Sequence, residues 1–74
     1  MRRFNEKKNG ERAERGGCAF EVWLGIHEEA TEDDTATNLT DLFADLLHFA
    51  HQQGLDPLPI LRMAETHYTE EARR

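Results

Sequence analysis

The sequence predicts a mainly α-helical protein with a disordered basic N-terminal tail, a short apolar segment that is a strand or a helix, and an antiparallel helical hairpin. Three observations predict this fold. Basic side chains are concentrated at the N-terminus, apolar residues recur with helical spacing after residue 38, and a glycine and a proline interrupt the chain near residue 55. The 74 residues hold one domain at most. We therefore predict a flexible tail at residues 1–17 and a single small helical domain at residues 18–74.

Composition indicates a cytoplasmic protein that is not inserted in a membrane. Apolar residues make up 38% of the chain and charged residues 32%, against roughly 45–50% and roughly 25% in average globular proteins. No run reaches the ~18 apolar residues of a membrane span, and no apolar stretch of a secretory signal follows the basic start. A single cysteine cannot form an internal disulfide. We expect no cofactor, and because so short a chain buries only about 60% of its unfolded surface, we expect a homodimer.

The tail has the charge opposite to that of the rest of the chain. Residues 1–15 carry six basic and three acidic side chains, a net charge of +3, whereas the other 59 residues carry a net charge of −9. Apart from Met1, Phe4 is the only large apolar residue of the tail, so its burial cannot offset the entropy of ordering the segment. The candidate nucleic-acid contacts are the basic residues of this tail: Arg2, Arg3, Lys7, Lys8, Arg12 and Arg15.

The apolar segment at residues 18–26 follows Gly16-Gly17. Over nine positions, every second residue is apolar and would lie on one side of a strand, which favours a strand. A lone strand would have to pair with the same strand of a second chain in a dimer. A helix is the alternative, because Phe20, Trp23 and Leu24 also fit helical spacing. Trp23 either marks a contact surface or is covered by the fold itself, and Cys18 is expected to be a small buried residue. The predicted interface consists of Phe20, Val22, Trp23, Leu24 and Ile26.

Two helices follow the acidic connector at residues 28–37. The first is predicted to begin with Thr37 or Asn38 as its N-cap and to end before Gly54 in a left-handed conformation. One broad apolar stripe, the predicted core, consists of Leu39, Leu42, Phe43, Leu46, Leu47 and Ala50. The second helix is predicted to begin at Pro57 after an Asp56 N-cap. Its apolar stripe includes His67, which is expected to be a buried histidine hydrogen-bonded to a carboxylate, hydroxyl or carbonyl, with Glu71 as a candidate partner. A buried ligand or general base is the alternative interpretation of His67.

Titratable residues give weak evidence of chemistry. Asp41, Asp45 and His48 share the polar face of the first predicted helix, where a solvated surface is favoured over a metal site. The chain contains no serine, and Gly16-Gly17 lacks the spacing of a phosphate-binding loop. We therefore expect no catalytic residues and no resident metal, and the sequence indicates a protein that is not an enzyme.

Two resemblances concern this helical part. Residues 38–71, NLTDLFADLLHFAHQQGLDPLPILRMAETHYTEE, resemble small uncharacterised acidic proteins of bacterial prophages and plasmids, which implies a mobile-element origin and no mechanism. The order of alternating apolar segment, helix, glycine turn and the helix ILRMAETHY is similar to that of ribbon-helix-helix DNA-binding proteins, in which strands paired across a dimer read the major groove. Here the outward positions would be Ala19, Glu21, Trp23 and Gly25, which carry no basic or amide group, and the core is acidic.

The leading interpretation is therefore a homodimeric protein-interaction module that is a small accessory protein of a mobile element and binds itself or an unknown protein partner. One alternative is a ribbon-helix-helix-like DNA-binding regulator that uses the basic tail. A second alternative is an acidic inhibitor or nucleic-acid mimic. Its carboxylates would be those of Glu28, Glu29, Glu32, Asp33, Asp34, Asp41 and Asp45.

Overall fold

The described part of the chain folds into three helices. A computed structural model describes the backbone of residues 2–27 and 33–73 and the side chains of residues 6–27 and 33–73. Helix α1 spans Arg2–Ile26, α2 spans Thr35–Gln52 and α3 spans Pro57–Arg73. Within these described ranges there is no strand. The prediction of a mainly α-helical protein is confirmed.

The preference for a strand at residues 18–26 was wrong, because this segment is the C-terminal third of α1. The helical spacing decides which side chains face the rest of the chain: Trp23 is buried, and Phe20, Leu24 and His27 are half-buried. These four positions repeat at helical intervals, so they share one side of α1. The apolar residues whose alternation favoured a strand are not all buried, since Val22 is 71% exposed and Ile26 is 77% exposed.

Residues 2–17 belong to the same helix as the apolar segment. Helix α1 therefore crosses the boundary that the sequence predicted between the tail and the domain. Gly16 and Gly17 lie inside the helix, although a glycine in a helix interior costs ~0.5–1 kcal/mol relative to alanine. The disorder of this segment in solution and the domain boundary stay predictions.

Helix α2 begins earlier than the sequence predicted. Its N-cap is Asp34, whose extended backbone and side chain precede the first turn, and Asp34 Oδ1 accepts a hydrogen bond from the Thr37 amide at 2.8 Å. The predicted caps, Thr37 and Asn38, were therefore wrong, because Asp34 already accepts the hydrogen bond of a free first-turn amide. Asn38 is instead buried inside the helix, and its Nδ2 lies 3.4 Å from the Asp33 carbonyl oxygen.

The turn between α2 and α3 confirms the local signals of the sequence. Gly54 has a φ of +80°, a left-handed conformation that glycine adopts without strain. The amides of Gly54 and Leu55 donate to the carbonyls of His51 and Ala50, each at 3.0 Å, which completes the C-terminal hydrogen bonds of α2. Asp56 then caps α3 through a 3.2 Å bond from the Leu58 amide, and Pro57 is the first residue of α3.

The three helices pack loosely against one another. The molecule measures 41 × 30 × 16 Å, and its radius of gyration is 14.2 Å, whereas a compact chain of this length has a radius of about 11 Å. Its accessible surface is 6476 Å², against roughly 4,700 Å² for a compact protein of this mass. Among the described residues, only Trp23, Ala50 and Asn38 are buried. The chain leaves much apolar surface in contact with solvent.

The predicted core stripe of α2 is largely exposed. Ala50 alone is buried, and Leu42 and Leu47 are half-buried. The other members are exposed: Leu39 by 37%, Phe43 by 54% and Leu46 by 51%. The helical spacing was right, but the assignment of these three to the core was wrong, because the chain has too few packed neighbours to cover the stripe.

Candidate protein-interaction surface

The junction of α1 and α2 is built around the indole of Trp23. The indole Nε1–H donates a hydrogen bond to Asp45 Oδ2 at 2.8 Å, and one turn further His27 Nε2 lies 3.7 Å from Asp41 Oδ2. The Trp23 ring also contacts the rings of Phe20 and His27, at centroid distances of 6.0 and 4.5 Å. The later of the two α1 residues contacts the earlier of the two α2 residues, so the two helices run antiparallel here. Trp23 therefore anchors α2 to α1, which is the second of the two alternatives that its sequence context left open.

Sequence reasoning missed the partners of this tryptophan. It assigned Asp41 and Asp45 to a solvated face with His48, whereas both carboxylates contact α1. The i, i+4 spacing of Trp23 and His27, matched by the same spacing of the two aspartates, is a signal that could have indicated the pairing. His48 is exposed and does not join the contact.

The junction of α1 and α3 is polar. Arg12 Nε lies 3.5 Å from Glu71 Oε1, Asn9 Nδ2 donates to the Glu71 carbonyl at 2.9 Å, and an Arg12 guanidinium nitrogen donates to Asn9 Oδ1 at 2.7 Å. The Arg12 and Glu71 side chains are each more than a third exposed, so the ion pair contributes up to about 1 kcal/mol. The burial of His67 was wrongly predicted, since His67 is exposed and Glu71 faces α1 instead. Arg12, a candidate nucleic-acid contact, therefore links two helices of its own chain.

The other candidate nucleic-acid contacts are distributed along α1. Arg2 and Arg3 lie in the helix, but their side chains are outside the described residues. Lys7, Lys8 and Arg15 are exposed. At about 100° per residue, Lys8 and Arg15 lie about 20° apart around the helix, and Lys7 lies about 80–100° from them. The three exposed basic residues of the described part are therefore spread over about 100° of the circumference of α1.

The described side chains give no metal-binding cluster. Among residues 6–27 and 33–73, no three His, Cys, Asp or Glu side chains lie close enough together to hold a metal ion. Cys18 is exposed on α1, so the expectation that it is buried was wrong. The acidic side chains of Glu28, Glu29 and Glu32 lie outside the described residues.

Between the three helices lies an open apolar depression, the central groove. Its wider part has a volume of about 790 Å³ and is lined by α1, α2 and α3; a narrower part of about 470 Å³ adjoins it between α2 and α3. Phe43 and Tyr68 line both parts, and Tyr68 is 70% exposed. The remaining apolar residues of the lining are Ala13, Gly16, Leu39, Leu61, Ala64 and Ala72. An apolar depression of this size open to solvent is typical of a surface that binds another molecule.

The predicted interface residues of α1 separate into two groups. Trp23 is only 8% exposed and contacts α2, and Phe20 and Leu24 are half-buried on the same side of α1. Val22 and Ile26 are available to a partner because more than two thirds of each is exposed. The part of α1 that presents apolar surface is therefore the side that carries Val22 and Ile26.

Comparisons with protein-family models, with curated proteins and with solved structures found no match. In the described part of the chain, no helix combines the length and the apolar character that crossing a membrane requires.

Proposed function

We propose that this chain is a non-enzymatic protein-interaction module that acts as a homodimer through its exposed apolar side chains. The observation that carries the proposal is the surplus of accessible surface over that of a compact protein, about 1,800 Å² per chain. Two copies that each bury this surplus would bury about 3,600 Å² together, which lies within the roughly 2,000–5,000 Å² of obligate homodimers. A second copy is a sufficient partner, because it supplies apolar surface of the same extent.

The position of the exposed apolar residues supports the same proposal. Phe43, Leu46 and Phe49 on α2 are each more than half exposed, and Tyr68 lines the central groove together with Phe43. Aromatic residues are enriched at the centres of protein interfaces, whereas scattered single apolar residues are normal on a monomer surface. A cluster of aromatic and leucine side chains on adjoining helices is therefore better explained by a protein partner than by a solvated surface.

The experiment that tests the proposal compares the solution mass of the chain with that of two variants of α2. Size-exclusion chromatography with light scattering is expected to give twice the 8.6 kDa of one chain. Phe43→Glu is expected to give the monomer mass, because it introduces a charge into the groove. Thr40→Glu is the matched control: the same side chain is introduced at an exposed position one turn away, and the dimer is expected to persist. A wild-type chain that stays at 8.6 kDa at high concentration would refute the proposal.

The alternatives have less support from the contacts of this chain. Ribbon-helix-helix recognition needs a strand, and residues 18–26 are helical. Among the acids that an inhibitor or nucleic-acid mimic would present, Asp34 caps α2, and Asp41 and Asp45 contact α1. The origin in a mobile element remains a hypothesis that the sequence resemblance suggests.

A further inference from the structure

Two exposed rows of side chains, one on α1 and one on α3, carry charged and apolar residues in the same order when they are read in opposite directions along the chain. The α1 row consists of Arg15, Ala19, Val22 and Ile26, which lie within about 60° of one another around the helix. The α3 row, taken in the opposite direction along the chain, consists of Glu65, Leu61, Leu58 and the preceding Leu55. Each row begins with a charged residue and continues with apolar ones, and the two charges are of opposite sign.

The spacing of the two rows matches as well as their chemistry. Arg15, Ala19 and Val22 are separated by four and then three residues, and so are Glu65, Leu61 and Leu58. With a rise of 1.5 Å per residue, both stretches are about 10 Å long. Two helices packed antiparallel would therefore place charge against charge and apolar residue against apolar residue. This match holds only for antiparallel packing, because parallel packing would set Arg15 against a leucine.

Both rows have exposed side chains in the single chain, and Leu61 and Glu65 of the α3 row also line the narrower part of the central groove. Val22 is 71% exposed, and Leu58 and Leu61 are 57% and 42% exposed. Arg15 and Glu65 are exposed too. Helix α1 contacts its own α3 through Asn9 and Arg12, which lie beside the α1 row, about 80° and 20° around the helix from Ala19.

We infer that the α1 row of one copy packs antiparallel against the α3 row of a second copy, with Arg15 of each chain opposite Glu65 of the other. The inference rests on the proposed function: Leu61 and Glu65 of the α3 row line the central groove beside Phe43, so the α1 row is the part of the second copy that packs at this edge of the groove. A two-fold dimer makes this contact twice, once in each direction, and so leaves neither row exposed. The apolar residues supply most of the buried area, and the ion pair selects the register and the antiparallel direction.

Charge reversal tests the pairing without removing apolar contacts. Arg15→Glu and Glu65→Arg are each expected to raise the dimer dissociation constant about tenfold, because each places like charges together at two symmetric points. An equimolar mixture of the two variants is expected to form a heterodimer with wild-type affinity, since both of its contacts then join opposite charges. The matched controls reverse a charge away from the rows on the same helices. They are Lys7→Glu on α1 and Glu70→Arg on α3, and both are expected to dimerise as the wild type does.

Cross-linking tests the register directly. In a Cys18→Ser background, the pair Ala19→Cys and Leu61→Cys is expected to give a covalent dimer after mild oxidation with copper phenanthroline. The control pair, Ala19→Cys with Thr66→Cys, places the second thiol off the α3 row and is expected to stay uncross-linked. A wild-type dimer whose charge variants neither weaken nor rescue one another, and whose cysteine pair does not cross-link, would overturn this inference and leave the proposed function standing. A monomeric wild-type chain would overturn both.

Discussion

Substitution of Trp23 is expected to unfold the chain more than any other single change. Its side chain is the only large apolar one that is buried in the described residues, and it joins α1 to α2 through its ring and through Asp45. Removal of a buried aromatic side chain costs about 3–5 kcal/mol. A chain of 74 residues has a total stability of roughly 4–11 kcal/mol, so Trp23→Ala is expected to remove a large fraction of it.

A milder substitution separates the ring from its hydrogen bond. Trp23→Phe keeps an aromatic ring but removes the Nε1–H that donates to Asp45 at 2.8 Å. A hydrogen bond to a charged acceptor contributes about 1.5–3 kcal/mol, and the exposure of Asp45 to water reduces this contribution to roughly 1 kcal/mol. Asp45→Ala is expected to cost a similar amount, and the double variant is expected to cost less than the sum of the two.

The assay is urea denaturation followed by far-ultraviolet circular dichroism, at one protein concentration for all variants. Glu21→Ala, which changes an exposed side chain two residues before Trp23, is the control and is expected to change the free energy of unfolding by less than about 0.5 kcal/mol. Strict additivity of Trp23→Phe and Asp45→Ala would show that the two side chains do not interact. A cost below about 0.5 kcal/mol for Trp23→Ala would refute its role as the anchor.

Three further predictions concern the ends and contacts of the helices. Hydrogen bonds from Thr37, of which the one from its backbone amide has the larger effect, lower the pKa of Asp34 below its ordinary 3.8. The charged Asp34 therefore stabilises the fold above pH 3.8, and this stabilisation is lost as the pH falls through the lowered pKa. Acid titrations of thermal midpoints should therefore show a smaller loss for Asp34→Asn than for the wild type, and Asp34→Ala should lower the midpoint at neutral pH. Gly54→Ala should cost about 1–3 kcal/mol in urea denaturation, because alanine strains a φ of +80°, and an unchanged stability would refute this conformation. Arg12→Gln should cost less than about 1 kcal/mol in the same assay, and a larger loss would mean that its pair with Glu71 is shielded from water.

Signals that act within a few residues were predictable from the sequence. The turn at Gly54 and the start of α3 at Asp56-Pro57 depend on backbone conformation and on a single side-chain hydrogen bond, and the structure has both. The start of α2 was missed because several residues of the connector can cap a helix, and only the structure identifies Asp34 as the one that does.

Features that depend on packing were not predictable in this way. The spacing of Phe43 and Leu46 correctly indicated one apolar side of a helix, but spacing does not say whether another part of the chain covers that side. The same limit explains the strand preference at residues 18–26, where two periodic patterns coexist and contacts of α1 with α2 favour the helical one. The partner of Trp23 was missed because Asp45 lies 22 residues away, in a helix whose polar side was expected to face water.

The central claim is that association with a second copy completes a fold that one chain leaves open. The thermal midpoint of the wild-type chain, measured over a hundredfold range of protein concentration, tests this claim most directly. Mass action stabilises a folded dimer as its concentration rises, so the midpoint is expected to increase steadily across the range. A midpoint that does not change with concentration would mean that the single chain is folded on its own, and it would contradict the claim.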